Sequence, residues 1–158
     1  MLRISKKHSL TLSMALAVIF FLGCLASAIV MPKVVDALLL VSSLLHGLGN
    51  LQESTVFILL MVLAYAMLAI AALADVLLML LLLRVRRGLV FSRQSTDLVR
   101  SISWCCMLLA LLCLGMGYFF RLALVIAFAG ALLGICLRVV KNVLEEATEL
   151  KSENELTI

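Results

Sequence analysis

This chain is short of charge. Only 14% of its 158 residues are Asp, Glu, Lys or Arg, against about 25% in soluble domains, while 65% are apolar and the mean hydropathy is +1.25. A water-soluble globular protein is excluded by that balance. Proline occurs once, at Pro32, and tryptophan once, at Trp104. Histidine is absent from every long apolar run, which removes a bis-histidine haem, and no C-x-x-C occurs. No nucleophile triad, metal-ligand set, phosphate loop or pair of close acids is legible, so an enzyme is not expected. No cofactor is implied either. The apolar runs also lack the period-two alternation and aromatic girdles of membrane barrel strands.

What is present is four long apolar segments, at about 9–30, 56–83, 102–118 and 122–140. A crossing helix needs roughly 20 mostly apolar residues for a hydrocarbon layer of about 30 Å. The chain therefore has room for four crossings and little else, and residues 1–158 are expected to form a single membrane domain. Backbone polar groups in lipid must be paired within their own segment, so the expected fold is an all-α integral membrane four-helix bundle. The second run, 28 residues at 1.5 Å each, is about 42 Å long and must tilt or project.

Basic residues orient the bundle. Of the thirteen Lys and Arg, all but Lys33 and Arg121 fall on one side: Arg3, Lys6 and Lys7, then Arg84 to Arg100, then Arg138, Lys141 and Lys151. Both termini are thus expected to be cytoplasmic. Trp104 and Tyr118 suit the two interfacial belts. Topology accounts for the net charge of +4, and no direct contact with nucleic acid is needed to explain it.

The first run admits two readings. Its basic start and Ala26-Ser27-Ala28 match a signal-peptide cleavage site, and Phe21-Leu22-Gly23-Cys24 faintly matches a lipoprotein box. Retention is favoured, because a run of about 22 residues exceeds the 7 to 15 of a secretory core. Pro32 is expected to stop this first helix. Val34 to Leu45 would then lie as a short amphipathic helix at the outer surface, followed by a turn at Gly47-Leu48-Gly49-Asn50.

On the inner side, Gly88 to Arg100 read as a connector with Ser92 as an N-cap, and Leu89, Val90 and Phe91 set to insert at the lipid interface. The fourth helix is expected to continue into water as an amphipathic tail over 141–158. There Val143, Leu144, Ala147 and Leu150 recur at helical spacing opposite Glu145, Glu146 and Glu149. Arg84, Arg86, Arg87, Arg93 and Arg100, with those three acids, form a surface that can meet anionic lipid, fold on itself or dock a partner.

Asp75 is the only charge between Ser54 and Leu83. An intramembrane carboxylate costs about 2.5–3.5 kcal/mol near the bilayer centre and marks a partner or an ion path. Lying nine residues before Arg84, it sits about 13 Å deep along a helix. Arg138 could lean inward to pair with it and lock the second helix to the fourth. Gly130 and Gly134 form G-x-x-x-G, for packing against the alanine-rich second helix or for homo-oligomer contact. Cys24, Cys105, Cys106, Cys113 and Cys136 read as small apolar residues.

Arg-Gly-Leu-Val-Phe-Ser at 87–92, then Ser95, Leu98 and Ile102, together with the closing Leu150-Lys-Ser-Glu-Asn-Glu-Leu-Thr-Ile158, resemble the bacterial membrane family catalogued as domain of unknown function 2975. The likeness extends over nearly the whole chain. Glu155 stands where the family's closing motif has Asp. The resemblance implies four-helix inner-membrane proteins, often encoded beside a helix-turn-helix transcription regulator, with no established activity. Two functions are expected from the charge layout, Asp75 and this resemblance. One is a regulatory or adaptor subunit holding such a DNA-binding regulator at the cytoplasmic face; the other is a small oligomeric transporter or channel using Asp75.

Overall fold

The computed structural model describes residues 6–46, 53–87, 92–117 and 120–156, and among them it forms four α-helices and no strand. They are α1 (Lys6–His46), α2 (Glu53–Arg86), α3 (Arg93–Met116) and α4 (Arg121–Leu156). Each is long and apolar enough to cross a membrane. Helices pair all of their interior backbone groups without outside help, which is what a hydrocarbon solvent demands. The outward faces are apolar as well: Ile29 is 81% exposed and Leu122 73%, on a molecule that leaves side chains such as Phe128 and Leu111 uncovered along its length. A monomer in water does not present that much bare apolar surface, so these faces belong to lipid.

The helices pack in chain order, α1 on α2, α2 on α3 and α3 on α4. Every neighbouring pair is antiparallel. Tyr65 of α2 reaches Ala28 of α1, Arg84 near the end of α2 meets Gln94 at the start of α3, and Ser103 of α3 meets Gly134 of α4. The start of α1 and the end of α4 therefore lie at the same end of the bundle as Arg84 to Arg93. At the opposite end, Val35, Val56, Leu60, Ala64 and Met116 form the main buried cluster, with Met31, Phe57 and Phe120 packed around it.

One expectation is overturned. Pro32 does not stop the first helix, and the segment read as a separate surface helix is the continuation of α1 through His46. Proline lacks the N–H that would bond the carbonyl four residues earlier, which is that of Ala28. In this fold the Ala28 carbonyl accepts a hydrogen bond from the Tyr65 hydroxyl at 3.1 Å. The group that proline orphans is thus satisfied from α2. Beyond Pro32, Val35 is only 2% exposed and anchors the extended helix in the main cluster.

Local signals at the other end hold. Ser92 caps α3 in an extended conformation (φ −141°, ψ 146°), its hydroxyl accepting from the Ser95 N–H at 3.3 Å. The fourth helix does run on past its apolar part, as far as Leu156. The turn expected at 47–50, the interfacial residues 89–91 and Tyr118 lie outside the described residues.

Candidate functional site

Asp75 continues the buried stripe of α2 formed by Val56, Leu60 and Ala64, and is itself only 6% exposed. The pairings of Arg84 with Gln94 and of Ala64 with Met116 set the α2–α3 register, which brings Asp75 level with Ser103 to Cys105 of α3. The proposed partner is not there. Arg138 instead places its guanidinium over the Trp104 ring, 5.1 Å from the centroid, and among the described residues Asp75 has no hydrogen bond or ion pair. Depth does not separate the two side chains, since Trp104 and Asp75 lie at a similar level. The helix order is the reason: among the described residues α4 approaches α3 alone, so α3 stands between the carboxylate and the arginine.

Gly130 and Gly134 also turn toward α3, not toward α2. A methyl group built on Gly130 would meet the Ala110 Cβ at 3.5 Å, and one on Gly134 would stand 3.0 Å from Met107. The G-x-x-x-G stripe is therefore an internal seam. Ser103 stitches it, its hydroxyl donating to the Gly134 carbonyl at 2.8 Å. Small residues on α4 permit this approach, and the hydroxyl finds an acceptor in an otherwise apolar contact.

The basic end gathers most of the remaining candidates. Arg84 donates to Gln94 and ties the end of α2 to the start of α3, while Arg86 and Arg87 are exposed. The projecting part of α4 runs beside the first turns of α3. Arg100 stands 3.9 Å from Asp97 and 4.0 Å from Glu145, and Lys141 donates to Glu145 from one turn earlier. That hydrogen bond, with the Lys141, Arg100 and Arg93 charges, holds the Glu145 carboxyl below the usual carboxylate range. The contact is therefore retained above that range and is lost as pH falls through the depressed value.

Two clefts result. The larger, about 510 Å³, carries both signs of charge, with Arg93 and Arg100 facing Asp97, Glu145 and Glu149 and with Thr96 and Thr148 on its wall. The smaller, about 280 Å³, lies between α3 and α4 nearer the bilayer and is lined by Arg100, Ser103, Trp104, Arg138, Lys141 and Asn142. Glu146 is exposed beside them. The charge run made the basic end legible in the sequence; the Arg138–Trp104 stacking and the Tyr65 hydrogen bond were not, because each joins two helices whose adjacency no local pattern states.

The family described as Protein of unknown function (DUF2975) matches residues 51–158, which is α2 to the end of the chain and not α1. The resemblance is thus narrower than the whole chain. No curated protein and no solved structure matches.

Proposed function

We infer a function for this chain, which belongs to that family of unknown function, from the basic end of its multi-pass bundle: it is a membrane adaptor that holds a soluble regulator there. The observation that carries this reading is the length of α4. The helix continues for about 24 Å past Val140. Four further turns do nothing for a crossing already complete. They carry Val143 and Leu150, 60% and 57% exposed, on a helix that also carries Glu145, Glu146 and Glu149. An amphipathic helix presented in that way is suited to an apolar groove with a basic rim, the helix-in-groove mode of recognition. The mixed-charge cleft beside it supplies rim contacts that fix orientation.

In this mechanism the bundle keeps the projecting helix at the cytoplasmic surface of a bacterial inner membrane, in line with the distribution of basic residues. A change within the membrane shifts α4 against α3 and releases the partner. A DNA-binding regulator is the partner implied by the family resemblance. The test is a photo-crosslinker placed at Leu150 in native membranes, with Val143→Asp as the control. Crosslinks to a soluble DNA-binding protein, lost in the control, are expected. If Leu150 crosslinks only to lipid or to a second copy of this chain, the adaptor reading fails.

A second reading rests on Asp75, only 6% exposed as a residue and outside every ion pair among the described residues. A carboxylate kept at that depth despite its cost is what a proton- or cation-coupled carrier requires. Flux into proteoliposomes that depends on a proton gradient and disappears in Asp75→Asn would favour it.

A further inference from the structure

The smaller cleft at the α3–α4 seam has a chemistry of its own. Its lining contains three cations, Arg100, Arg138 and Lys141, with the Asn142 amide, the Ser103 hydroxyl and the Trp104 indole, and no carboxylate. Asp97 and Glu145 engage Arg100 and Lys141 from outside the lining. Arg138 has no carboxylate within ion-pair reach among the described residues, and its guanidinium is held over an indole that is itself 54% exposed. A cation positioned in this way and left without a counter-ion calls for an anion.

The place of the cleft says which anion. It sits where the apolar part of α4 gives way to Lys141, and directly along the helices toward the bilayer centre lie the exposed side chains of Leu108, Leu111 and Ile135. A soluble anion has no use for that apolar floor, whereas an acyl chain does. The volume, about 280 Å³, is that of roughly nine waters at about 30 Å³ each, enough for a headgroup phosphate and part of its glycerol.

We propose that the cleft lined by Arg100, Ser103, Trp104, Arg138, Lys141 and Asn142 is a specific binding site for an anionic phospholipid. Arg138 and Lys141 hold the phosphate, the Asn142 amide donates to it, and the acyl chains lie along Leu108, Leu111 and Ile135. Basic pockets between helices at the membrane surface select anionic headgroups by this combination of charge and anchoring. The site is independent of the adaptor reading and makes no use of Val143 or Leu150.

Trp104 is the only tryptophan in the chain and lines the cleft, so its fluorescence reports on occupancy directly. The full chain is placed in phosphatidylcholine vesicles, and phosphatidylglycerol or phosphatidylcholine with brominated acyl chains is titrated in as quencher. The expected result is a preference of about five-fold or more for brominated phosphatidylglycerol, the factor one well-placed basic residue near a charged membrane supplies. Taking the ratio of the two lipids within each variant removes any direct effect of a substitution on the indole. Arg138→Gln with Lys141→Gln should bring that ratio to one, Arg138→Lys should retain most of it, and Arg86→Gln with Arg87→Gln, which lie off the cleft, should leave it intact. Millimolar inorganic phosphate should not displace the lipid. Equal quenching by both lipids in the unaltered chain, a preference that survives the double cleft variant, equal loss in the Arg86 and Arg87 variant, or displacement by free phosphate would each overturn the proposal.

Discussion

Gly130 and Gly134 share a motif but not an environment, and the difference can be measured. A methyl at Gly130 would enter ordinary contact with Ala110, whereas one at Gly134 would press on the Met107 Cγ and Sδ at 3.0 Å while its own carbonyl stays tied to Ser103. Gly130→Ala is therefore expected to be nearly neutral, and Gly134→Ala to destabilise by about 1 kcal/mol, the lower range for overpacking a fitted contact. Met107→Ala introduced beside Gly134→Ala should recover part of that loss. Unfolding in bicelles or mixed micelles reads these differences. Equal effects at the two glycines would mean that the seam does not have the tightness described. The sequence announced the motif because its four-residue spacing is local. It did not announce α3 as the partner, since the alanines of α2 offered an equally small surface and spacing along one helix carries no information about its neighbour.

At the scale of elements, the length of α1 depends on α2. Pro32 leaves the Ala28 carbonyl without its helical donor, and the Tyr65 hydroxyl takes that place at 3.1 Å. Tyr65→Phe should cost about 0.6 kcal/mol and no more than about 1.7, the average and the maximum measured for hydrogen bonds between membrane helices. The same change in a Pro32→Ala background should cost close to nothing, because alanine restores an N–H to the Ala28 carbonyl. A double-mutant cycle in bicelles makes the comparison; an identical cost in both backgrounds would show that the tyrosine serves some purpose other than the proline gap. The local rule that proline ends a helix misleads here for a physical reason: the remedy is supplied from 37 residues away. Crossings and the Ser92 cap were legible for the converse reason, since hydropathy and capping are settled by residues adjacent in the chain. Likewise, counting from Arg84 placed Asp75 at about the depth of Arg138. The side of the bundle on which each faces depends on helix order, which depth does not reveal.

At the scale of the whole molecule, the bundle is a row in which α2 and α3 each have two helical neighbours, and Asp75 lies on the inner of these surfaces rather than toward lipid. An ion pair with Arg138 would have given the carboxylate a purely structural role as a lock between α2 and α4. Without that lock, no ion pair among the described residues offsets the cost of holding Asp75 in the bilayer. Asp75→Asn, which keeps the shape and removes the charge, should therefore raise stability, by up to about 2 kcal/mol given an insertion cost of about 2.5–3.5 kcal/mol for a central carboxylate. Denaturant titration in bicelles measures the change. A gain would place Asp75 among residues retained for activity at the expense of stability, and would direct attention to what a carboxylate beside α3 could bind or carry. A loss of 1 kcal/mol or more would instead mean that the charged form is satisfied in the membrane by a group brought from outside the chain, such as a bound cation or a second copy. The two outcomes separate an intrinsic device of the bundle from one completed by association.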